Sequence, residues 1–377
     1  MVFEIIAKDS KSKARVGKLT TKSGVAETPF FMPVATKTTV KYISIEDLET
    51  MGAQAIICNA FVLSFRPGVS LVKNAGGISG LSTFKGIIFT DSGGFQMYSP
   101  QLYVRSKEDG VIFRNPFSGE QVFITPEIDM DIQLGLGSDV AMCLDSMPLI
   151  EESKESIAEA VRKTGLWAQR CKLHHDNRQI ENGEKRQLLF GICQGGVHTD
   201  LREQSAREIA QIDFDGYAIG GLALGEPKKD EYKMIETAKN VFPENKPIYL
   251  MGAGEPLEML EAISRGVDIF DSRFPTKNAR RGNLFTSKGR IRLFRAEYAE
   301  DKTPIDTECS CFVCKRYSKS YIRHLLRQEE GTGKRLASYH NLYFLQNLMH
   351  KAREAIKQGK FTELLDNYRK INTENLK

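Results

Sequence analysis

The chain has 377 residues, 41% of them hydrophobic, and no apolar run reaches the ~18 residues a membrane span needs. That composition suits a soluble globular protein with room for one large α/β domain or two smaller ones. The net charge is +5, yet fifteen Lys/Arg against seven Asp/Glu fall between Thr276 and His340, so the rest of the chain nets negative. Such a segment is either a solvated basic surface or a polyanion-binding face, most readily for nucleic acid.

The opening "MVFEIIAKDS" lacks the charged and long apolar regions of a secretory signal, so the expected location is the cytoplasm. The N-terminal residues to about 25 read as a small antiparallel cap, with "ARVGKLTTKSG" as a hairpin arm. Eight short apolar runs follow: "FFMPVAT", "AQAIICNA", "GIIFTDSGG", "DVAMCLD", "LLFGICQGG", "GYAIGGLAL", "PIYLMGAG" and "VDIFDS". Helical patterns separate most of them, predicted over Ile45–Met51, Pro126–Leu136, Glu152–His174, Leu201–Ala210, Asp230–Val241 and Pro256–Arg265. Near-continuous apolar strands alternating with helices imply a parallel sheet covered on both sides, and eight of them imply a (β/α)8 TIM barrel. A doubly wound sheet competes, but no G-x-G-x-x-G follows the first strand.

Two pieces lie outside this repeat. Leu102 to Ile124 alternates around the turns Asp109-Gly110 and Ser118-Gly119, which predicts a β insertion after the third strand. From about Leu284 a basic stretch, a cysteine cluster and amphipathic helices such as Leu342–Ile356 read as a metal-stabilised subdomain. The domains expected are therefore a catalytic barrel with its cap over residues 1–283 and a zinc-binding, basic, helical subdomain over 284–377.

Of the seven cysteines, Cys58, Cys143, Cys171 and Cys193 sit scattered in apolar surroundings and read as buried thiols. Cys309, Cys311 and Cys314 form C-x-C-x2-C, a metal pattern that wants a fourth ligand. His324 and His340 both qualify, and either would close a structural tetrahedral site.

In a barrel, functional groups gather where strands end. Here those ends carry Asp91, Asp145, Gln194, Gly221, Met251 and Asp271. Singly, a strand-end Asp is more often a cap or turn residue. Three carboxylates and an amide at one mouth instead invite acid/base division and double displacement at an anomeric carbon. The amide, an Asp and the Gly221 backbone would read a purine edge, with Phe95 and Met251 closing over its faces.

"TDSGGFQ", "GICQGG", "AIGGLALGE", "YLMGAGEP", "FDSRFPTKNARRG" and C-x-C-x2-C with a later His resemble the tRNA-guanine transglycosylases (queuine tRNA-ribosyltransferase family, bacterial type), in order from about Pro33 to His340. The resemblance implies that Asp271 is the nucleophile and Asp91 the general acid/base. It implies that the base is held by Asp91, Ser92, Gly93, Gly94, Phe95, Asp145, Gln194, Gly221, Leu222 and Met251. The RNA-contacting stretches it implies are Gly252, Ala253, Gly254, Glu255, Pro256, Leu257 and Glu258, then Thr276, Lys277, Asn278, Ala279 and Arg280. It selects His340 as the fourth ligand to one structural Zn2+, with no organic cofactor. The implied partners are tRNA with a G-U-N anticodon, a 7-deazaguanine base and a second copy of the chain in a homodimer.

The chain departs from the pattern at "DSMP" (Asp145 to Pro148), one residue short of the usual D-E-x-x-P, and at Ser272, where relatives carry Cys. Leu224 stands where queuine-using enzymes tend to have Gly, which favours the small aminomethyl base preQ1 over queuine. Two other classes compete: a retaining barrel glycosidase using the same carboxylates, and a noncatalytic zinc RNA-binding protein. The first leaves the basic segment without a purpose and has only Trp167 for a sugar platform; the second leaves the carboxylates unexplained.

Overall fold

The computed structural model describes residues 1–93, 102–147, 152–182 and 186–374 of the chain. Strands β1 (Phe3–Lys8), β2 (Arg15–Thr20) and β3 (Val25–Thr28) form an antiparallel sheet, the expected N-terminal cap. The parallel strands begin with β4 (Phe30–Pro33), β5 (Ala55–Asn59) and β6 (Ile87–Asp91). The insertion then supplies β7 (Tyr103–Ser106), β8 (Val111–Arg114) and β9 (Gln121–Ile124), a small sheet tied down where Trp167 Nε1 donates to the Glu108 carbonyl at 2.7 Å. The parallel series resumes with β10 (Val140–Met142), β11 (Leu188–Cys193), β12 (Gly216–Ile219), β13 (Ile248–Leu250) and β14 (Ile269–Ser272). A hairpin of β15 (Asn283–Thr286) and β16 (Gly289–Arg292) follows.

The hydrogen-bonded order β4-β14-β13-β12-β11-β10-β6-β5 makes one eight-stranded parallel sheet. A parallel bridge between Val34 and Ile57, with Ala35 N–H donating to the Ile57 carbonyl at 2.8 Å, brings β4 back to β5 and closes the barrel. The near-continuous apolar composition of these strands follows from this closure. Phe30, Met32, Phe89, Phe190 and Tyr249 fill the interior, while Phe31, Ile88, Leu189, Leu250 and Phe270 face the helices. Phe89 meets Phe30, Phe190 and Tyr249 edge-on at 5.8–6.3 Å, near the middle of the barrel.

Phe3, Leu19 and Ala26 of the cap join the interior cluster and plug the end where strands start. Arg15 binds Asp268 there through two charge-assisted bonds of 2.6 and 2.9 Å, both side chains buried.

The helix Pro126–Leu136 has the bounds its sequence predicts: Thr125 caps it, Pro126 starts it, and Gly137 at φ +71° ends it. The helix expected over Glu152–His174 runs instead from Lys154 to Asn182. Its last turns lack apolar periodicity and are held by polar neighbours, such as Lys172–Asp176 at 2.6 Å. Short helices Ala60–Leu63, Val69–Asn74 and Gly77–Ser82 were not legible, because Pro67 and the left-handed Gly76 and Gly77 break any repeat.

The helix Gly331–Lys357 packs on the barrel. Gln346 donates to the Phe31 carbonyl at 3.1 Å and Arg353 to the Pro29 carbonyl at 2.8 Å, both on or beside β4. Leu342, Leu345 and Met349 lie in the same apolar cluster as the outer face of the sheet.

Breaking the Arg15–Asp268 pair from one side strands a buried charge. Arg15→Met is therefore expected to lower unfolding free energy by roughly 3–5 kcal/mol in urea titrations at neutral pH. A loss below about 1 kcal/mol would show that the cap holds without it.

Candidate active site and metal centre

The C-terminal ends of the parallel strands place the predicted polar residues around one mouth. Asn59 and Asp91 are directly paired across β5 and β6, and Asp271 lies opposite Met32 of β4. Each of the two aspartates is held by one neutral side chain and one backbone amide. Asp91 Oδ1 accepts from Asn59 Nδ2 at 2.8 Å and from Gly93 N–H at 3.1 Å. Asp271 Oδ1 accepts from the Tyr249 hydroxyl at 2.5 Å and from Gly252 N–H at 2.9 Å. Among the described residues, these bonds fall on Oδ1 alone, so Oδ2 of each carboxylate is the atom left for chemistry.

Deeper in the mouth, Asp145 and Gln194 are buried, and Gln194 Nε2 donates to Asp145 Oδ2 at 2.6 Å. Gln194 is held by its own amide, which donates to Ser205 Oγ at 2.9 Å. Arg202, also buried, ties the same loop by donating to the Cys193 and Gly196 carbonyls. The glycines of "AIGGLA" are then a steric requirement. A Cβ on Gly220 would sit 2.6 Å from Gln194 Nε2, and one on Gly221, at φ +68°, 2.5 Å from Oε1. That Oε1 is buried and finds no hydrogen-bond donor among the described residues, which marks it as an acceptor waiting for a ligand.

Burial pushes the Asp91 carboxyl up to about 7, and the charges of Asp271 and Asp145 add to the push against the Asn59 and Gly93 bonds. Burial likewise raises Asp145 to about 6 and raises Asp271, each opposed by its donors. Tyr249 is driven far above the usual phenol range by burial and the Asp271 charge, so it remains a donor. Three carboxylates that have no paired cation among the described residues thus include one poised for proton transfer near neutrality and one with a bare oxygen suited to nucleophilic attack.

The remaining predicted residues divide clearly. Ser92 is buried and its hydroxyl helps hold the Asp145 carboxyl down against burial, Leu222 is in the apolar core, and Met251 is half-buried above the barrel interior. Gly94 and Phe95 lie outside the described residues. Of the seventh loop, Ala253, Gly254, Pro256 and Glu258 are buried, and a Cβ on Gly254 would come 2.4 Å from Ser272 Cβ. Gly252, Glu255 and Leu257 keep exposed surface. In the helix Phe274–Ala279, Thr276 and Ala279 turn inward, while Lys277 is exposed and Asn278 and Arg280 partly so. Sequence reasoning missed Asn59 and Tyr249. Asn59 ends a strand just as the aspartates do and was findable; Tyr249 reads as strand filler. It also missed Glu226, whose buried carboxylate accepts the Ala223 and Leu224 amides at 2.6 and 2.9 Å and shapes the sixth loop.

Apart from this mouth, ligand atoms of Cys309, Cys311, Cys314 and His340 all lie within 4.8 Å of one another. His340 Nδ1 stands 3.8, 3.6 and 3.3 Å from the three sulfurs, and its Nε2 lies 2.7 Å from the Phe285 carbonyl. That carbonyl takes the Nε2 proton and turns the Nδ1 lone pair toward the sulfurs, as metal-ligating histidines require. The donor set and its outer partner fit a closed tetrahedral site. His324 is exposed on the helix Lys319–Arg327, outside this group.

A family model described as "TGT: Queuine tRNA-ribosyltransferase" matches residues 9–374. Similar proteins include a queuine tRNA-ribosyltransferase of Halothermothrix orenii, 44% identical over 366 residues that cover 97% of this chain and 96% of that protein. One from Thermoanaerobacter sp. (strain X514) is 45% identical over 361 residues, covering 96% and 95%. One from Oceanobacillus iheyensis is 45% identical over 368 residues, covering 98% and 96%.

Two measurements check the site. Metal analysis should find bound metal lost in His340→Ala and retained in His324→Ala; the reverse would overturn the ligand set. The Asn59 bond favours the ionised form, so Asn59→Ala should move the Asp91 titration, followed by carboxyl NMR, above about 7. An unmoved or lowered titration would deny Asn59 that role.

Proposed function

The chain belongs to the queuine tRNA-ribosyltransferase family, a family of pentosyltransferases in queuosine synthesis, and on that premise we propose how its residues exchange the wobble guanine of G-U-N tRNAs. Asp271 Oδ2 attacks the ribose C1′ of the wobble nucleoside. The C1′–N9 bond breaks, its electron pair leaves with guanine, and the departing base gains a proton from Asp91. The incoming 7-deazaguanine gives its N9 proton to Asp91, attacks C1′ and expels Asp271. One glycosidic bond replaces another, so the reaction needs no external energy source.

The observation that carries this reading is the pinning of both carboxylates by a single oxygen. Tyr249 and Gly252 hold Asp271, and Asn59 and Gly93 hold Asp91, so attack and proton transfer fall to the free oxygens. Asp145, the orphaned Gln194 Oε1 and the Gly221 backbone offer two acceptors and a close approach for a purine edge. Ser92, Gly93, Gly94 and Phe95 complete the base pocket in this proposal, with Leu222 at the sixth loop and Met251 over the ring. Leu224 narrows that loop and favours the aminomethyl base over queuine.

Cys309, Cys311, Cys314 and His340 would hold one Zn2+, and its part would be structural because four protein ligands leave no open position. Lys277, Asn278 and Arg280, with Gly252, Glu255 and Leu257, present the RNA-facing surface. The enzyme works as a cytoplasmic homodimer.

The test is incubation with unmodified G-U-N tRNA and radiolabelled guanine. Label is expected to enter the tRNA, and the aminomethyl base to compete for the site better than queuine. Absence of label would remove the exchange reading, and preference for queuine would remove the role given to Leu224.

A further inference from the structure

The buried face of the helix Pro126–Leu136 is not wholly apolar. Asp129 and Gln133, four residues apart and so on one face, lie among Pro126, Met130 and Leu136, and Gln133 is fully buried. A buried amide costs free energy unless its donors and acceptors are met. Here all of them are. Gln133 Nε2 donates to the Met142 carbonyl at 2.8 Å and to Asp129 Oδ2 at 2.9 Å. Its Oε1 accepts from the Met142 N–H at 3.1 Å and from the Thr90 hydroxyl at 2.8 Å. Turned over, the amide would set oxygen against the Met142 carbonyl and hydrogen against the Met142 N–H, so one orientation fits.

Those bonds fall where the barrel begins to open. Strands β6 and β10 pair through Phe89 with Val140 and Thr90 with Ala141, and the pairing stops there. One more step in that register would set Asp91 opposite Met142. On its other side β6 does take the step, pairing Asp91 with Asn59 of β5. At Met142 the Gln133 amide stands beside the strand instead, bonded to both N–H and carbonyl as a neighbouring strand would be. Meanwhile β10 stays attached to β11, where the Cys143 N–H donates to the Phe190 carbonyl at 3.0 Å.

The break lies directly under the mouth. Asp91 follows Thr90, and Asp145 is three residues beyond Met142. We propose that Gln133 is a positioning residue whose amide wedges β6 from β10 and thereby sets the gap between Asp91 and Asp145 that admits the base. The inference rests on the exchange reading above and adds the residue that fixes the width of the base pocket. An apolar side chain at 133 would release Met142 to continue the ladder with β6 and draw Asp145 toward Asp91. Asp91 already stands in the field of Asp145 and Asp271, and its own charge reaches Cys58, Asp129 and Tyr249. A nearer Asp145 would disfavour the ionised form of Asp91 further.

Gln133→Met keeps the volume and removes all four bonds. Guanine affinity measured by calorimetry should fall about tenfold, the scale of a few lost hydrogen bonds. In exchange with G-U-N tRNA, KM for the base should rise with it while KM for tRNA stays within about twofold, a split that loss of folded protein alone would not produce. The Asp91 titration, followed by carboxyl NMR, should move above about 7. Thr90→Val cuts the tie to β6, leaves both Met142 bonds and should weaken guanine binding about threefold. It carries the decision where Gln133→Met fails to fold. A folded variant that binds guanine within about twofold of its parent, or an Asp91 titration unmoved or lowered in Gln133→Met, would overturn the inference. If the wild type neither exchanges nor binds guanine, the exchange reading fails on its own, and the Asp91 titration still decides whether Gln133 holds the strands apart.

Discussion

Three carboxylates crowd one mouth of the barrel, and no cation among the described residues pairs with them. This is the constraint on which the rest of the structure depends. Asp91, Asp145 and Asp271 are instead held by Asn59, Gln194 and Tyr249, all neutral donors. A guanidinium in any of those places would pull the carboxyl well below its usual range and leave it a permanent anion. Neutral donors fix geometry and let burial keep Asp91 near 7. The opposite end of the barrel makes the contrast. There Asp268 is paired with Arg15 and Asp215 with Arg186, and the same carboxylates accept strand amides from Ile248 and Leu189. Acidic residues where strands begin serve stability; those where strands end stay unpaired.

Much of this could be read from the sequence because the barrel imposes it. A parallel strand buried on both faces must be apolar nearly throughout, so runs such as "LLFGIC" stand out, and the first polar residue after each run marks the mouth. Asp91, Asp145, Gln194 and Asp271 were found that way. Their supports were harder to see. Tyr249 occupies an interior strand position and is indistinguishable by pattern from Phe89 or Phe190, its neighbours in the core. Whether a tyrosine hydroxyl points at the mouth depends on register, which only the folded sheet defines. Likewise nothing in "TKNAR" says that Thr276 and Ala279 face inward, because a six-residue helix is too short to show periodicity.

The C-terminal segment shows how the Cys309, Cys311, Cys314 and His340 group is tied to the chain beside the mouth. His340 and Asn341 are adjacent on one buried helix. His340 reaches the three cysteines on one side and the Phe285 carbonyl on the other. Asn341 accepts from Phe285 N–H and donates to the Pro275 and Asn283 carbonyls. One helical turn therefore ties the cysteine cluster to the first turn of the helix Phe274–Ala279, which follows Asp271 directly. Loosening the cluster would loosen the helix Phe274–Ala279 before it disturbed the carboxylates.

The central claim is that Asp271 forms the bond to ribose while Asp91 moves protons. The most direct measurement is to trap the enzyme on tRNA, denature it, digest it and locate the attached ribose by mass spectrometry. Attachment is expected within Ile269–Ser272, at Asp271, and none in Asp271→Asn. Attachment at Asp91 or Asp145, or an adduct surviving that substitution, would contradict it.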